Sequence, residues 1–149
     1  MAHSHTNLIY HVVFSTKNRE PFVREDVGAR LYAYVRTVVA DRGGTVLAIN
    51  GMPDHVHVLC KLGPNVALSD VIRDVKANSS RWLRRQFPDM RTFGWQTGYG
   101  AFTVSESQVG RVRAYVESQR EHHSRMSYSD EMAALLRANR VAFDDGALE

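Results

Sequence analysis

The chain has 149 residues, 44% of them hydrophobic, enough for one compact domain with its own core. No apolar run approaches the ~20 residues of a membrane span, the start of the chain does not resemble a secretory signal, and the lone Cys60 excludes an intrachain disulfide framework, so a cytoplasmic protein with no membrane partner is expected. The net charge of +3 is mild but unevenly spread: basic residues gather at Arg73, Lys76, Arg81, Arg84, Arg85 and Arg91, and again at Arg111, Arg113, Arg120 and Arg125, while Asp144, Asp145 and Glu149 close the chain acidic.

Residues 6–15 carry Leu8, Ile9, Tyr10, Val12, Val13 and Phe14, a β-branched and aromatic run that predicts a first strand. Val27, Leu31, Val35 and Val38 recur at helical spacing over residues 24–41, between Pro21 and the Gly43-Gly44 pair that should end the helix. Residues 45–50 form the next strand. The turn chemistry of Gly51-Met52-Pro53-Asp54 then delivers the chain by a hairpin into a strand from His55 to Cys60.

A second helix over residues 68–87 places Leu68, Val71, Ile72, Val75 and Trp82 on one stripe, and its outer face is basic. Trp82 continues the stripe and reads as core. Residues 101–104 make a last strand, and Ser105-Glu106-Ser107-Gln108 has the spacing of a capping box that starts a third helix running to about His123. The order βαββαβ plus a terminal helix predicts an α+β fold of the ferredoxin-like or RNA-recognition-like type, with a mainly antiparallel sheet and helices on one face. Residues 1–149 read as one domain with a core over about 6–123 and a peripheral tail over about 127–149, which includes a weak helix near 131–138.

The chemistry lies in His55-Val56-His57. Alternate strand residues share a face, so the two imidazoles stand side by side, which is half of a metal site. By spacing alone, two exposed polar residues on a strand are the more usual explanation of the motif. In the third helix Tyr115, Gln119 and His122 fall along one half-exposed flank beside the Val109, Val112 and Val116 stripe. Two histidines leave a divalent ion in need of another donor, and Gln119 is a candidate; Glu117 and Asp54 point off the relevant faces. A tyrosine beside such an ion suits phosphoryl transfer through a covalent intermediate. His122 and His123 read as surface histidines, and the His3-Ser4-His5 repeat of the spacing has no strand around it.

Met52-Pro53-Asp54-His55-Val56-His57-Val58-Leu59 followed by Tyr115-Val116-Glu117-Ser118-Gln119 resembles the single-tyrosine HUH transposases of bacterial insertion sequences and the related REP-associated tyrosine transposases. The similarity extends to residues 10–17 and 79–83. It implies that His55, His57 and Gln119 bind Mg2+ or Mn2+ and that Tyr115 is the nucleophile. Such an enzyme attacks single-stranded DNA to leave a 5′-phosphotyrosine and a free 3′-hydroxyl, and strand transfer follows. The resemblance further implies recognition of hairpins at element ends and a homodimer in which the tyrosine can act in trans. Lys76, Arg81, Arg84 and Arg85 would then contact DNA phosphates.

Two other readings stay open at this point. A domesticated relative would process dispersed palindromic repeats, and a non-catalytic RNA-recognition-like module would bind nucleic acid without a metal. The second predicts exposed aromatics on the sheet, and the strands offer no recognisable pair. A small metallohydrolase would need a further histidine or carboxylate from a neighbouring strand, which is not evident in the pattern.

Overall fold

Four strands pair antiparallel in the order β2-β3-β1-β4, where β1 is Leu8–Ser15, β2 Thr45–Met52, β3 His55–Leu62 and β4 Gly100–Val104. The computed structural model describes residues 4–123 and 126–144. Helices α1 (Glu25–Asp41) and α2 (Leu68–Gln86) connect the strands in the expected βαββαβ order, giving the predicted α+β architecture. Among the described residues no helix is long and apolar enough to cross a membrane.

Strand alternation divides the molecule into layers. Val12, Phe14, Val56, Val58 and Cys60 face α1 and α2, where they join Val27, Leu31, Val35, Val71, Ile72, Val75 and Leu83 in the largest buried cluster. The opposite residues of the same strands face a second helical layer formed by α3 (Val109–Glu117), α4 (Gln119–His123) and α5 (Tyr128–Ala138). There Ile9, Ala48, Leu59 and Val104 pack with Val116 of α3, while Val13 and Phe102 pack with Met132 and Leu136 of α5. Helices α1 and α2 thus share one face of the sheet as predicted, and the C-terminal helices cover the other.

The hairpin forms as the turn residues predict but is tighter, because β2 extends to Met52, which pairs with His55 across Pro53-Asp54. A Cβ at Gly51 would collide with the His55 carbonyl oxygen, so the strand can only pass this close without a side chain. The predicted capping box does not form. Ser105 Oγ pairs with Ser107 Oγ, and a short 3-10 turn over Glu106–Gln108 precedes α3.

The third helix is not continuous to His123. It breaks at Ser118 (φ −102°, ψ 29°), whose hydroxyl turns back onto the Ala114 carbonyl at 2.8 Å. Asn50 of β2 donates to the Glu117 carbonyl at 3.0 Å and pins the end of α3 to the sheet. Helix α5 does not trail at the periphery as the sequence suggests: Ser127 caps it, and Glu131, Met132 and Leu136 are buried. His3, Arg125, Asp145 and Glu149, and the side chain of His122, lie outside the described residues.

Candidate active site

Strand β3 sets the histidine pair. Its register places Ser15 of β1 and Met52 of β2 opposite His55, and Val13 and Asn50 opposite His57, so both imidazoles rise from the sheet interior on the face covered by α3 to α5. Neither histidine is an exposed strand residue, since both are 0% accessible. Burial at this level requires partners for each ring nitrogen.

One partner is the neighbouring Asp54, and the others come from distant parts of the chain. His55 Nδ1 lies 2.7 Å from Asp54 Oδ1. An ionised carboxylate only accepts, so His55 Nδ1 carries hydrogen and a neutral ring turns the Nε2 lone pair into the site. His57 Nδ1 lies 2.8 Å from His11 Nε2 of β1, and His57 Nε2 lies 2.8 Å from Glu131 Oε1 of α5. The same Glu131 oxygen is 3.0 Å from His123 Nε2 and 3.4 Å from His55 Nε2. Candidate ligand atoms of His55, His57, His123 and Glu131 all lie within 4.8 Å of one another.

Tyr115 projects from α3 into this cluster. Its hydroxyl donates to the second oxygen of Glu131, and its ring lies edge-on to His57 with centroids 5.8 Å apart. The tyrosine therefore reaches the histidines of its own chain. Gln119, at the start of α4, is fully buried; its amide nitrogen donates to the Tyr115 carbonyl at 3.1 Å, while Oε1 has no hydrogen-bond partner. The break at Ser118 gives this contact its reason, because Tyr115 O is left to side chains where the helical ladder stops.

Burial, its bond to Glu131 and that residue's negative charge all push the Tyr115 phenol well above the ordinary value. Burial alone would raise the Glu131 carboxyl, but the His55 and His57 imidazoles that face it, the charge of His57 and the bond from Tyr115 hold it far below the usual carboxylate range. Burial also lowers His57 and takes His11 down to about 3, where proximity to His57 adds to the effect. His55 moves the other way: burial is outweighed by Asp54 and Glu131.

The donor set fits a divalent cation. His55 Nε2 and Gln119 Oε1 are both buried without hydrogen-bond partners, and imidazole nitrogens with oxygen donors suit Mn2+ better than Mg2+. His123, read from sequence as a surface residue, has a side chain only 6% exposed and belongs to this cluster. His11, His123 and Glu131 carry no local signal in the sequence. His11 sits in an apolar strand, and Glu131 sits in a short amphipathic helix where a carboxylate reads as a solvated charge.

The basic candidates fare differently. They lie on α2, on the far side of the sheet from Tyr115. Arg81, Arg84 and Arg85 are exposed, with Arg81 bonded to Asn78 and Arg84 Nη1 donating to the Phe93 carbonyl at 3.1 Å. Lys76 is turned back onto the chain: its ammonium donates to the Gln96 carbonyl at 2.8 Å and to the Gly98 carbonyl, and it lies over the Phe14 ring. Trp82 is half-buried and stacked on Tyr34, with ring planes 11° apart.

Residues 4–119 match the family model described as "Transposase IS200 like". The chain is 30% identical over 119 residues to the ISDra2 transposase TnpA of Deinococcus radiodurans, an alignment covering 76% of this chain and 85% of that protein. It is 27% identical over 127 residues to the transposase for insertion sequence element IS200 of Salmonella typhimurium, covering 81% and 82% respectively. A Deinococcus radiodurans crystal structure described as a transposase matches with a TM-score of 0.63 and 27% identity, over 80% of this chain and 98% of that one. The structure of a REP-associated tyrosine transposase bound to a REP hairpin has the same fold, with a TM-score of 0.61, at 15% identity over 83% of this chain and 74% of that one.

Proposed function

Because the chain belongs to the IS200-like transposase family, we propose that it cleaves and rejoins single-stranded DNA through a Tyr115-linked intermediate. The observation that carries this reading is the meeting of the Tyr115 hydroxyl with the His55 and His57 imidazoles at one buried carboxylate.

In this reading His55, His57 and Gln119 hold Mn2+ or Mg2+, which when bound polarises a non-bridging oxygen of the scissile phosphate. Tyr115 Oη attacks the phosphorus as the bond to the upstream 3′-oxygen breaks. The phenolic proton leaves, the 3′-oxygen departs as a hydroxyl with a proton from solvent, and a 5′-phosphotyrosine remains. A second 3′-hydroxyl reverses the exchange and joins the strands, so no nucleotide hydrolysis is required. The edge-on packing of Tyr115 against His57 keeps the nucleophile beside the histidines of its own chain. Chemistry in cis is therefore favoured over a tyrosine supplied in trans, whether or not the chain dimerises.

Arg81, Arg84 and Arg85 remain the candidates for phosphates of a DNA hairpin at the element end. The relative bound to a REP hairpin gives that substrate class its precedent, and a domesticated role on dispersed palindromes uses the same chemistry.

The test is incubation with hairpin-bearing single-stranded DNA from the flanks of the gene and Mn2+. The expected result is a denaturation-resistant protein–DNA adduct, absent with Tyr115→Phe and absent in chelator. Hairpin binding without any adduct, unchanged by chelator, would leave only a nucleic-acid-binding module.

A further inference from the structure

We infer that Glu131 and His123 are ligands of the same metal site, and that Glu131 is the strut holding the Tyr115 hydroxyl beside the cation. This rests on the metal-site reading above and extends it beyond residue 119, where the family match ends.

The first argument is charge. His55, His57 and Gln119 are buried neutral donors, and a divalent cation held in the protein by neutral groups alone is poorly compensated. Glu131 is the buried carboxylate whose oxygen faces the ring nitrogens, at 2.8 Å from His57, 3.0 Å from His123 and 3.4 Å from His55. The second argument is lone pairs. With its Nδ1 hydrogen committed to Asp54, His55 turns Nε2 toward the Glu131 oxygen at 3.4 Å, too far for a good hydrogen bond, and a cation seated between them would take a lone pair from each once that nitrogen gives up any proton.

The third argument is the division of labour within one carboxylate. Oε1 faces the three imidazoles and Oε2 accepts from Tyr115, so a single group spans the cation position and the nucleophile. Helix α5 is held to deliver it: Met132 and Leu136 pack on Val13 and Phe102, and Arg19 Nη1 donates to Ser129 Oγ at 2.5 Å.

Mn2+ alone, titrated into the full chain and followed by the electron paramagnetic resonance of the free ion, tests this without reference to cleavage. One tight site is expected in the wild type, weakened at least tenfold by Glu131→Gln and by His123→Gln, with folding verified by circular dichroism. Unchanged or tighter Mn2+ binding in Glu131→Gln would overturn the assignment, since a carboxylate that merely plugs the site gives that sign. If Glu131→Gln fails to fold, Glu131→Asp decides by the same titration: retained wild-type affinity with the shorter side chain counts against ligation, and a loss supports it. Absence of any Mn2+ site in the wild type also overturns it. Failure of the transposase reading is separate: it is a wild type that binds Mn2+ normally yet forms no adduct on any hairpin substrate.

Discussion

His11 Nε2 lies 2.8 Å from His57 Nδ1, with the two rings stacked at an interplanar angle of 22°. Each is neutral in this buried pair, and each can hold either tautomer. When His57 Nε2 faces the Glu131 carboxylate as a donor, its Nδ1 accepts from His11; when Nε2 must present a lone pair to a cation, the hydrogen moves to His57 Nδ1 and His11 accepts. The pair lets His57 change roles without losing a hydrogen bond.

That relationship predicts acid lability. His11 titrates near 3 in the folded chain against 6.5 ordinarily, so between those values the unfolded chain binds more protons and stability rises with pH. Acidification from about 6.5 toward 3 therefore removes stability. His11→Gln keeps an acceptor for His57 and removes the titration. Its melting temperature, measured in chelator, should fall less steeply across this window than that of the wild type; an identical slope would assign the acid loss to other groups.

Asp54 fixes the His55 tautomer from outside the cluster. Removing the charge with Asp54→Asn should weaken Mn2+ binding by about 10- to 100-fold, the usual cost of losing a carboxylate behind a ligand histidine, with little change in melting temperature. Isothermal titration calorimetry reads this directly. Affinity within twofold of wild type would show that the hairpin backbone alone orients the ring.

Met132 anchors α5 against Val13 and Phe102. Met132→Ala should cost about 2–3 kcal/mol, the lower part of the range for deleting a buried methionine, because the cluster lies at the edge of the core. Amides of α5 should exchange faster with deuterium while those of β3 keep their protection. Equal loss of protection in both would mean that α5 and the sheet open as one unit.

The exposed arginines and Lys76 should separate in a salt titration. Neutralising Arg81, Arg84 or Arg85 to Gln should reduce the slope of log K against log salt for hairpin DNA by up to about 1 for each phosphate that is no longer neutralised. Lys76→Gln should leave that slope unchanged and instead lower the melting temperature, because its ammonium is committed to the carbonyls of Gln96 and Gly98.

Local periodicity carried much of the architecture. Alternation in residues 55–60 predicts a strand with both histidines on one face, and the four-residue step from Tyr115 to Gln119 predicts a shared helix flank. The structure keeps those faces but inserts a break at Ser118 between the two residues, because a serine hydroxyl bonding back to Ala114 and an asparagine from β2 compete with the helical ladder. Neither competitor alters the apolar spacing, so a pattern of periods passes over it. The same limit explains the capping box, whose spacing is correct and whose serine bonds another side chain instead.

By itself the sequence determined the succession of strands and helices along the chain, the two helices behind the sheet, the histidine pair and the tyrosine, since each depends on spacing within a few residues. Tertiary structure alone decided that the histidines are buried, that His11 backs His57, and that a helix expected at the periphery brings Glu131 onto His57 across 74 residues. A carboxylate in a short amphipathic helix looks like any solvated charge until packing closes over it. Desolvation then makes its partners obligatory, and that constraint has no period for a sequence to display.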